Sequence, residues 1–271
     1  MYVSVVDQSG NPVPDLGPSD FVVKEDNVTR EVLRVTPADD PMQIAVLVDT
    51  SQAAQSVFAQ MREALPPFVS TLTAPNEETR RKNQIAIFGI GERPTILSEY
   101  STDPRDVEKG VSRIWAIRGS GMYLLDAIME VCQGLKRREA QRPVIVAIAT
   151  EGTDLSNRQH DQAIEPMRNA GAAFYAMMIG PPDTSLSIEA RERAMVLDEG
   201  PRVTGGYLEQ LLSVLALKAK LAVLANQLTH EYKVTYARPE SLIPPERITV
   251  AAARPGLTAR GTPVKEQQAR P

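Results

Sequence analysis

Cysteine is almost missing from this chain of 271 residues: Cys132 stands alone, which rules out an intrachain disulfide. Its neighbours Ile128, Val131 and Leu135 recur at helical spacing. Cys132 therefore reads as a packed core thiol, free cysteine being among the most buried residue types. Histidine is scarce too, with only His160 and His230, so a zinc site built from a Cys/His cluster has no ligands. Apolar runs fall short of the ~20 residues that a spanning helix needs, and no membrane span is expected. Lys and Arg are dispersed and the net charge is −4. No basic stripe with interleaved aromatics marks a nucleic-acid surface.

What is present suits a globular protein. Hydrophobic residues make up 42% and charged residues 24%, enough at this length to bury one large core or two smaller ones. The opening "MYVSVVDQSG" goes straight into strand-like alternation with no secretory leader pattern. Two expectations follow: a cytoplasmic protein, or numbering that begins after a removed segment.

The first forty residues read as β structure, with "YVSVVD" alternating, "QSGNP" turning and "DFVVKEDNVTREVLRV" forming a hairpin. From residue 43 to about 225 the pattern becomes strand–helix alternation, the signature of a mostly parallel sheet with helices on both faces. Strands are expected at 44–48, 84–89, 144–149 and 173–179, with "RPTILSEY" as an edge strand. Helices are expected at 106–114, 123–137, 159–170 and 189–199, with one long helix over 208–230. The helical spacing of Phe58, Met61, Leu65, Phe68 and Leu72 is interrupted by Pro66-Pro67. A break is expected there, since interior proline costs ~3 kcal/mol. Afterwards "EYKVTYARP" and "RITVAAARPG" alternate around the turn "ESLIPPE", and "TARGTPVKEQQARP" reads as a polar tail. The division this suggests is a small β domain from 1–40 with 231–258, an inserted α/β domain over 41–230, and a tail over 259–271.

In an open parallel sheet, ligands bind outside the carboxyl ends of the strands. The first of these strands ends in Asp49-Thr50-Ser51 and the third in Thr150, Glu151 and, further on, Asp154, while the loop "RGSGMYLLDAI" carries Ser120. Oxygen ligands from three loops are what a hard cation such as Mg²⁺ takes. The bland alternative for "DTSQAA" is a helix N-cap.

These segments resemble the von Willebrand factor A domain, and the flanks resemble the bacterial "VWFA-related" family. The resemblance is carried by "VDTSQA", "GSGMYLLDAI", "IATEGTD", "VTGGY", "VVDQSGNPVPDLGPSDFVVKED" and "RITVAAARPGLTARG", in order and over nearly the whole chain. It implies a Rossmann-like α/β fold, with the chain ends making a small β-sandwich-like domain. It also implies a non-enzymatic protein-binding and adhesion role, and an exported, secreted or periplasmic bacterial protein. The family's metal-ion-dependent adhesion site uses Asp-x-Ser-x-Ser, a Thr and an Asp. Here Asp49 and Ser51 fit, but Ala53 replaces the second Ser, Met122 replaces the Thr and Glu151 replaces the third-loop Asp. A methyl and a thioether cannot serve as hard oxygen ligands. The resemblance thus implies a degenerate adhesion site at Asp49, Ser51, Ala53, Ser120, Met122 and Glu151, which binds an unidentified protein without a cofactor. Asp49 and Glu151, uncompensated, would repel each other, and a partner's Lys or Arg could take the cation's place. The alternative is weak Mg²⁺, Mn²⁺ or Ca²⁺ binding through Asp49, Ser51 and Glu151, with Ser120 or Asp154 assisting, to engage an acidic partner residue. A hydrolase, or a dinucleotide site at "GIGERP", has less to support it.

Overall fold

The computed structural model describes residues 1–74, 82–182, 184–185, 187–238, 245 and 247–263. The chain opens with strands β1 (Tyr2–Val6), β2 (Phe21–Glu25), β3 (Val28–Arg30) and β4 (Val32–Pro37). Alternation follows: β5 (Met42–Val48), α1 (Phe58–Thr73), β6 (Gln84–Gly89), β7 (Thr95–Ser101), α2 (Pro104–Val111), α3 (Leu124–Arg137) and β8 (Arg142–Thr150). It continues with α4 (Asp161–Ala170), β9 (Ala173–Ile179), α5 (Ile188–Thr204), β10 (Leu208–Leu211) and α6 (Leu217–Thr229). Strands β11 (Tyr232–Tyr236), β12 (Ile248–Ala252) and β13 (Thr258–Thr262) close the described chain.

Six strands form the central sheet in the order β10-β9-β8-β5-β6-β7. All pair in parallel except the edge strand β7. Period-two alternation sorts each central strand between two cores. Ile44, Val46 and Val48 face one core with α1, α2 and α6, while Ala45 and Leu47 face the other with α3, α4 and α5. A strand buried on both faces reads as a continuous apolar run, which is why β5 and β8 were legible from composition. β5 leads into α1 on one face and its neighbour β8 leads into α4 on the other. Their carboxyl ends therefore flank the crevice where such sheets bind ligands.

Strands from both chain ends pair with each other. β1 lies between β11 and β13, and β4 adds to β11. A second antiparallel sheet, β12-β2-β3, packs on the first around Val3, Val5, Phe21, Val23, Tyr232 and Val234. The β2–β3 hairpin turns at Asp26 and Asn27, both with positive φ (47° and 67°), the left-handed pair that a tight two-residue hairpin demands.

Four expectations are corrected. Helix α1 runs unbroken through Pro66 and Pro67. Both prolines, and Arg62 and Glu63 one turn before them, lie on the less buried side, and the buried stripe of Met61, Leu65, Phe68 and Leu72 holds the helix together across them. The long helix over 208–230 is instead a strand, a turn and a shorter helix. Leu208–Leu211 pairs in parallel with β9, so sheet extension overrides the helix propensity of "LEQLL". The helix expected to end at 199 continues to Thr204 and stops at Gly205, whose φ is +85°. The polar tail expected from 259 begins instead with β13, since "TARGT" pairs antiparallel with all of β1. The turn "ESLIPPE" apart from Pro245, Arg80, Arg81 and residues 264–271 lie outside the described residues. Among the described residues no helix is long and apolar enough to cross a membrane.

At the amino end of the parallel sheet the two parts meet on Arg142. Its Nη2 donates to Glu231 Oε2 at 2.7 Å and to the Leu228 carbonyl at 2.6 Å, and its Nη1 donates to the Ala38 carbonyl at 3.0 Å. The two charged side chains are only 5% and 6% exposed. Removing one partner of such a pair strands a buried charge, so Arg142→Ala is expected to cost about 3–5 kcal/mol in urea denaturation. The doubly apolar Arg142→Met, Glu231→Leu variant is expected to recover most of that loss. Failure of the single change to destabilise would remove the pair from its structural role.

Candidate functional site

Three loops converge at the carboxyl end of the sheet. Asp49 follows β5 and is fully buried. Its Oδ1 accepts from the Ser51 N–H at 2.8 Å, and its Oδ2 accepts from the Thr150 N–H at 3.1 Å and hydroxyl at 2.5 Å. Thr50 ties in the neighbouring strand: its Oγ1 accepts from Gly91 N–H at 2.9 Å, and its carbonyl accepts from Ile117 N–H at 3.0 Å. That second bond folds the 117–122 loop over the first, where Gln52 N–H also donates to the Ser120 carbonyl at 3.3 Å. Ser51 takes the N-cap position of a short 3₁₀ turn, but its side chain makes no capping bond. The Asp49 carboxylate holds that corner instead.

The remaining expected site residues are directed elsewhere. Ala53 is exposed and lies against Gly152. The Ser120 hydroxyl donates to the Ile117 carbonyl at 2.7 Å within its own loop. Met122 is 1% exposed and packs in the core beside α3, fixed by Met122 N–H to the Thr153 carbonyl and Leu155 N–H to its own carbonyl. Asp154 is buried and accepts from Leu124 N–H at 3.2 Å and Ser156 N–H at 2.8 Å. It thereby caps the start of α3, and burial pushes its carboxyl above the usual range.

Glu151 corrects the expectation of an uncompensated pair of carboxylates. Its Oε2 lies 2.8 Å from Arg193 Nη2, and its Oε1 accepts from Gln210 Nε2 at 3.0 Å. Arg193 also donates to the Gly152 carbonyl, and its side chain is 3% exposed. The cation that a partner was expected to bring is therefore supplied by α5 of the same chain. Neither Arg193 nor Gln210 was singled out from the sequence. The available signal was a charged residue among the apolar positions of a helix: Arg193 shares a buried stripe with Val196, Leu197 and Gly200.

As a donor set for a hard cation this arrangement fits poorly. Asp49 already accepts bonds on both oxygens, Glu151 is neutralised by Arg193, and Ala53 and Met122 offer no oxygen. Among the described residues no group of three or more His, Cys, Asp or Glu side chains is placed to hold a metal. The histidines are committed elsewhere. His230 Nδ1 contacts the Asn226 carbonyl, and His160 pairs with Glu192 and Asp161.

Two predictions follow from these pairs. Arg193→Ala is expected to destabilise the protein by about 3 kcal/mol in urea denaturation. Glu151→Gln should cost less, because Arg193 keeps the Gly152 carbonyl. Equal stability of Arg193→Ala and wild type would dissolve the pairing. The second concerns His160, whose bond to Glu192 raises its pKa above the ordinary histidine value. The stabilisation it contributes is complete below about pH 6.5 and is lost as pH rises through the raised value. An NMR titration is expected to place His160 above free histidine, and Glu192→Gln should return it toward the free value.

A model of the von Willebrand factor type A domain matches residues 43–190. No curated protein sequence matches the chain. Among solved structures, a von Willebrand factor type A protein from Catenulispora acidiphila aligns at 12% identity and TM-score 0.57, covering 84% of this chain and 50% of that one. Proximal thread matrix protein 1 from the mussel byssus, solved with a zinc-occupied MIDAS motif, aligns at 12% identity and TM-score 0.57, covering 75% and 50%. The vWF domain of the type V pili tip protein Mfa5 from Porphyromonas gingivalis aligns at 10% identity and TM-score 0.54, covering 70% and 95%. This chain thus spans half the length of the first two. At these identities the likeness is one of fold.

Proposed function

Because the chain belongs to the von Willebrand factor type A domain family, whose members mediate protein–protein interaction and adhesion, we propose that it is a non-enzymatic protein-binding module that works without a bound cation. We take residues 41–230 as the interaction domain and the loops around Asp49, Ser51, Ser120 and Glu151 as its recognition surface. One observation carries the metal-free part of this reading: Arg193 lies 2.8 Å from Glu151, so the third-loop carboxylate already has a permanent internal cation. The inward bonds of Asp49 and the burial of Met122 support it. The non-enzymatic part is supported by the bonding of Ser120 to a carbonyl and of both histidines to groups outside the loop cluster. The pilus tip protein among the structural neighbours favours an exported bacterial protein acting outside the cytoplasm.

Metal dependence is tested by thermal melts in EDTA and then with Mg²⁺, Mn²⁺ or Ca²⁺ at millimolar levels. No shift is expected with any of them. Occupancy at about 100 times Kd would add about 2.7 kcal/mol and raise the melting temperature by several degrees. Such a shift, lost in Glu151→Gln, would overturn the metal-free reading and direct the search to acidic partner residues.

A further inference from the structure

Beside the loop cluster, between the Gln52–Val57 turn, the start of α1 and the loop before α3, lies a cleft of about 580 Å³ lined in part by Gln52, Gln55, Arg62, Trp115 and Arg118. We propose that this cleft binds a carboxylate-bearing, partly apolar peptide segment of the protein partner. The proposal deepens the protein-binding reading above and rests on it. It does not involve the oxygens of Asp49 or Glu151.

The charge of the cleft is of one sign. No Asp or Glu lines it, and among the described residues neither Arg62 nor Arg118 has a carboxylate partner. This contrasts with the buried Arg142 and Arg193, which are both paired. Arg62 is held rather than satisfied: its guanidinium stacks 4.3 Å from the Trp115 ring centre, and Nη1 donates to the Ile114 carbonyl at 3.3 Å. A guanidinium carries five N–H donors in a fixed fork suited to carboxylate, so donors remain for a ligand. Arg118 is exposed at the other rim.

The apolar half of the recognition is Trp115. The residue is 62% exposed, yet Nε1 donates to the Ser112 carbonyl at 3.0 Å, which limits the indole's freedom. A large aromatic held rigid on the surface loses little entropy on binding and is the commonest kind of interface anchor. Covering it would also strengthen the Arg62 stacking, since cation–π attraction grows on desolvation. On the turn, Gln52 Nε2 donates to Gln55 Oε1 at 2.6 Å, presenting amides rather than charge. A ligand that matches this surface carries Asp or Glu beside Leu or Phe.

Trp115 is the only tryptophan in the chain, so its emission reports on this cleft directly. The probe is a short synthetic peptide, blocked at both ends, that alternates Asp or Glu with Leu or Phe. Its control is the same peptide with Asn and Gln in place of the acids. The acidic peptide is expected to give a saturable blue shift that weakens with added salt and weakens about tenfold in Arg118→Glu. No shift up to millimolar peptide, or equal binding of the amide control, would overturn the proposal. Emission that changes with protein concentration alone would place a second copy in the cleft and overturn it as well. The titration is run in EDTA and in Mg²⁺. Binding that requires Mg²⁺ and survives Arg118→Glu would defeat the metal-free reading together with the cleft. Absence of binding in both media, with no metal-induced melting shift, would defeat the cleft alone.

Discussion

Everything below the sheet depends on one buried ion pair. Arg142 begins β8, and its guanidinium draws together the end of α6, the link between β4 and β5, and Glu231 at the start of β11. Tyr175 donates to the second oxygen of Glu231 at 3.4 Å, and Tyr2 stacks under the guanidinium at 5.1 Å. Burying a charge is costly unless it is paired and hydrogen-bonded. Here Glu231 pairs it and both terminal nitrogens are bonded, while Nε has no partner among the described residues. The bonding groups come from parts of the chain more than a hundred residues apart, Ala38 and Arg142 being one such pair. The antiparallel strands and the parallel sheet thus share a charge neither could bury alone, which fixes their register with an accuracy apolar contact would not impose.

The opposite end of the same sheet repeats the chemistry with a different result. Arg193 and Glu151 also form a nearly buried pair, but at the mouth where the loops open. Asp49 beneath and the Met122–Asp154 bridge beside it tie the same loops together.

How much of this was legible follows from which forces acted locally. β6 and β9 match the ranges read from sequence, because a strand buried on both faces must be apolar along its length. That Ala53 and Met122 carry no side-chain oxygen was readable once the resemblance had assigned positions 49, 51, 53, 122 and 151. The pairing of Glu151 with Arg193 was not, since 42 positions separate them and only the fold brings α5 over the loop. β10 was misread because its leucines suit a helix equally well, and the choice was made by the free edge of β9. The path of α1 through two prolines was hidden for a similar reason: the cost of proline is local, whereas the apolar stripe that outweighs it lies on tertiary neighbours. β13 carries little hydrophobicity of its own and is a strand because β1 needs a partner.

That last dependence sets an order of assembly. Strand β1 is synthesised before the parallel sheet and its neighbours β11 and β13 after it, with Val3 pairing to Tyr232 and Gly261. The strands of the parallel sheet pair only with one another, while Val3 and Val5 wait uncovered until β11 and β13 emerge. Pairings so distant in sequence are slow to close, and an unpaired apolar strand edge is where nascent chains associate wrongly. In a cell, then, the hazardous interval is the time between the emergence of β1 and that of β13. A factor that shields β1 during that interval would raise the yield of folded protein without touching its final stability.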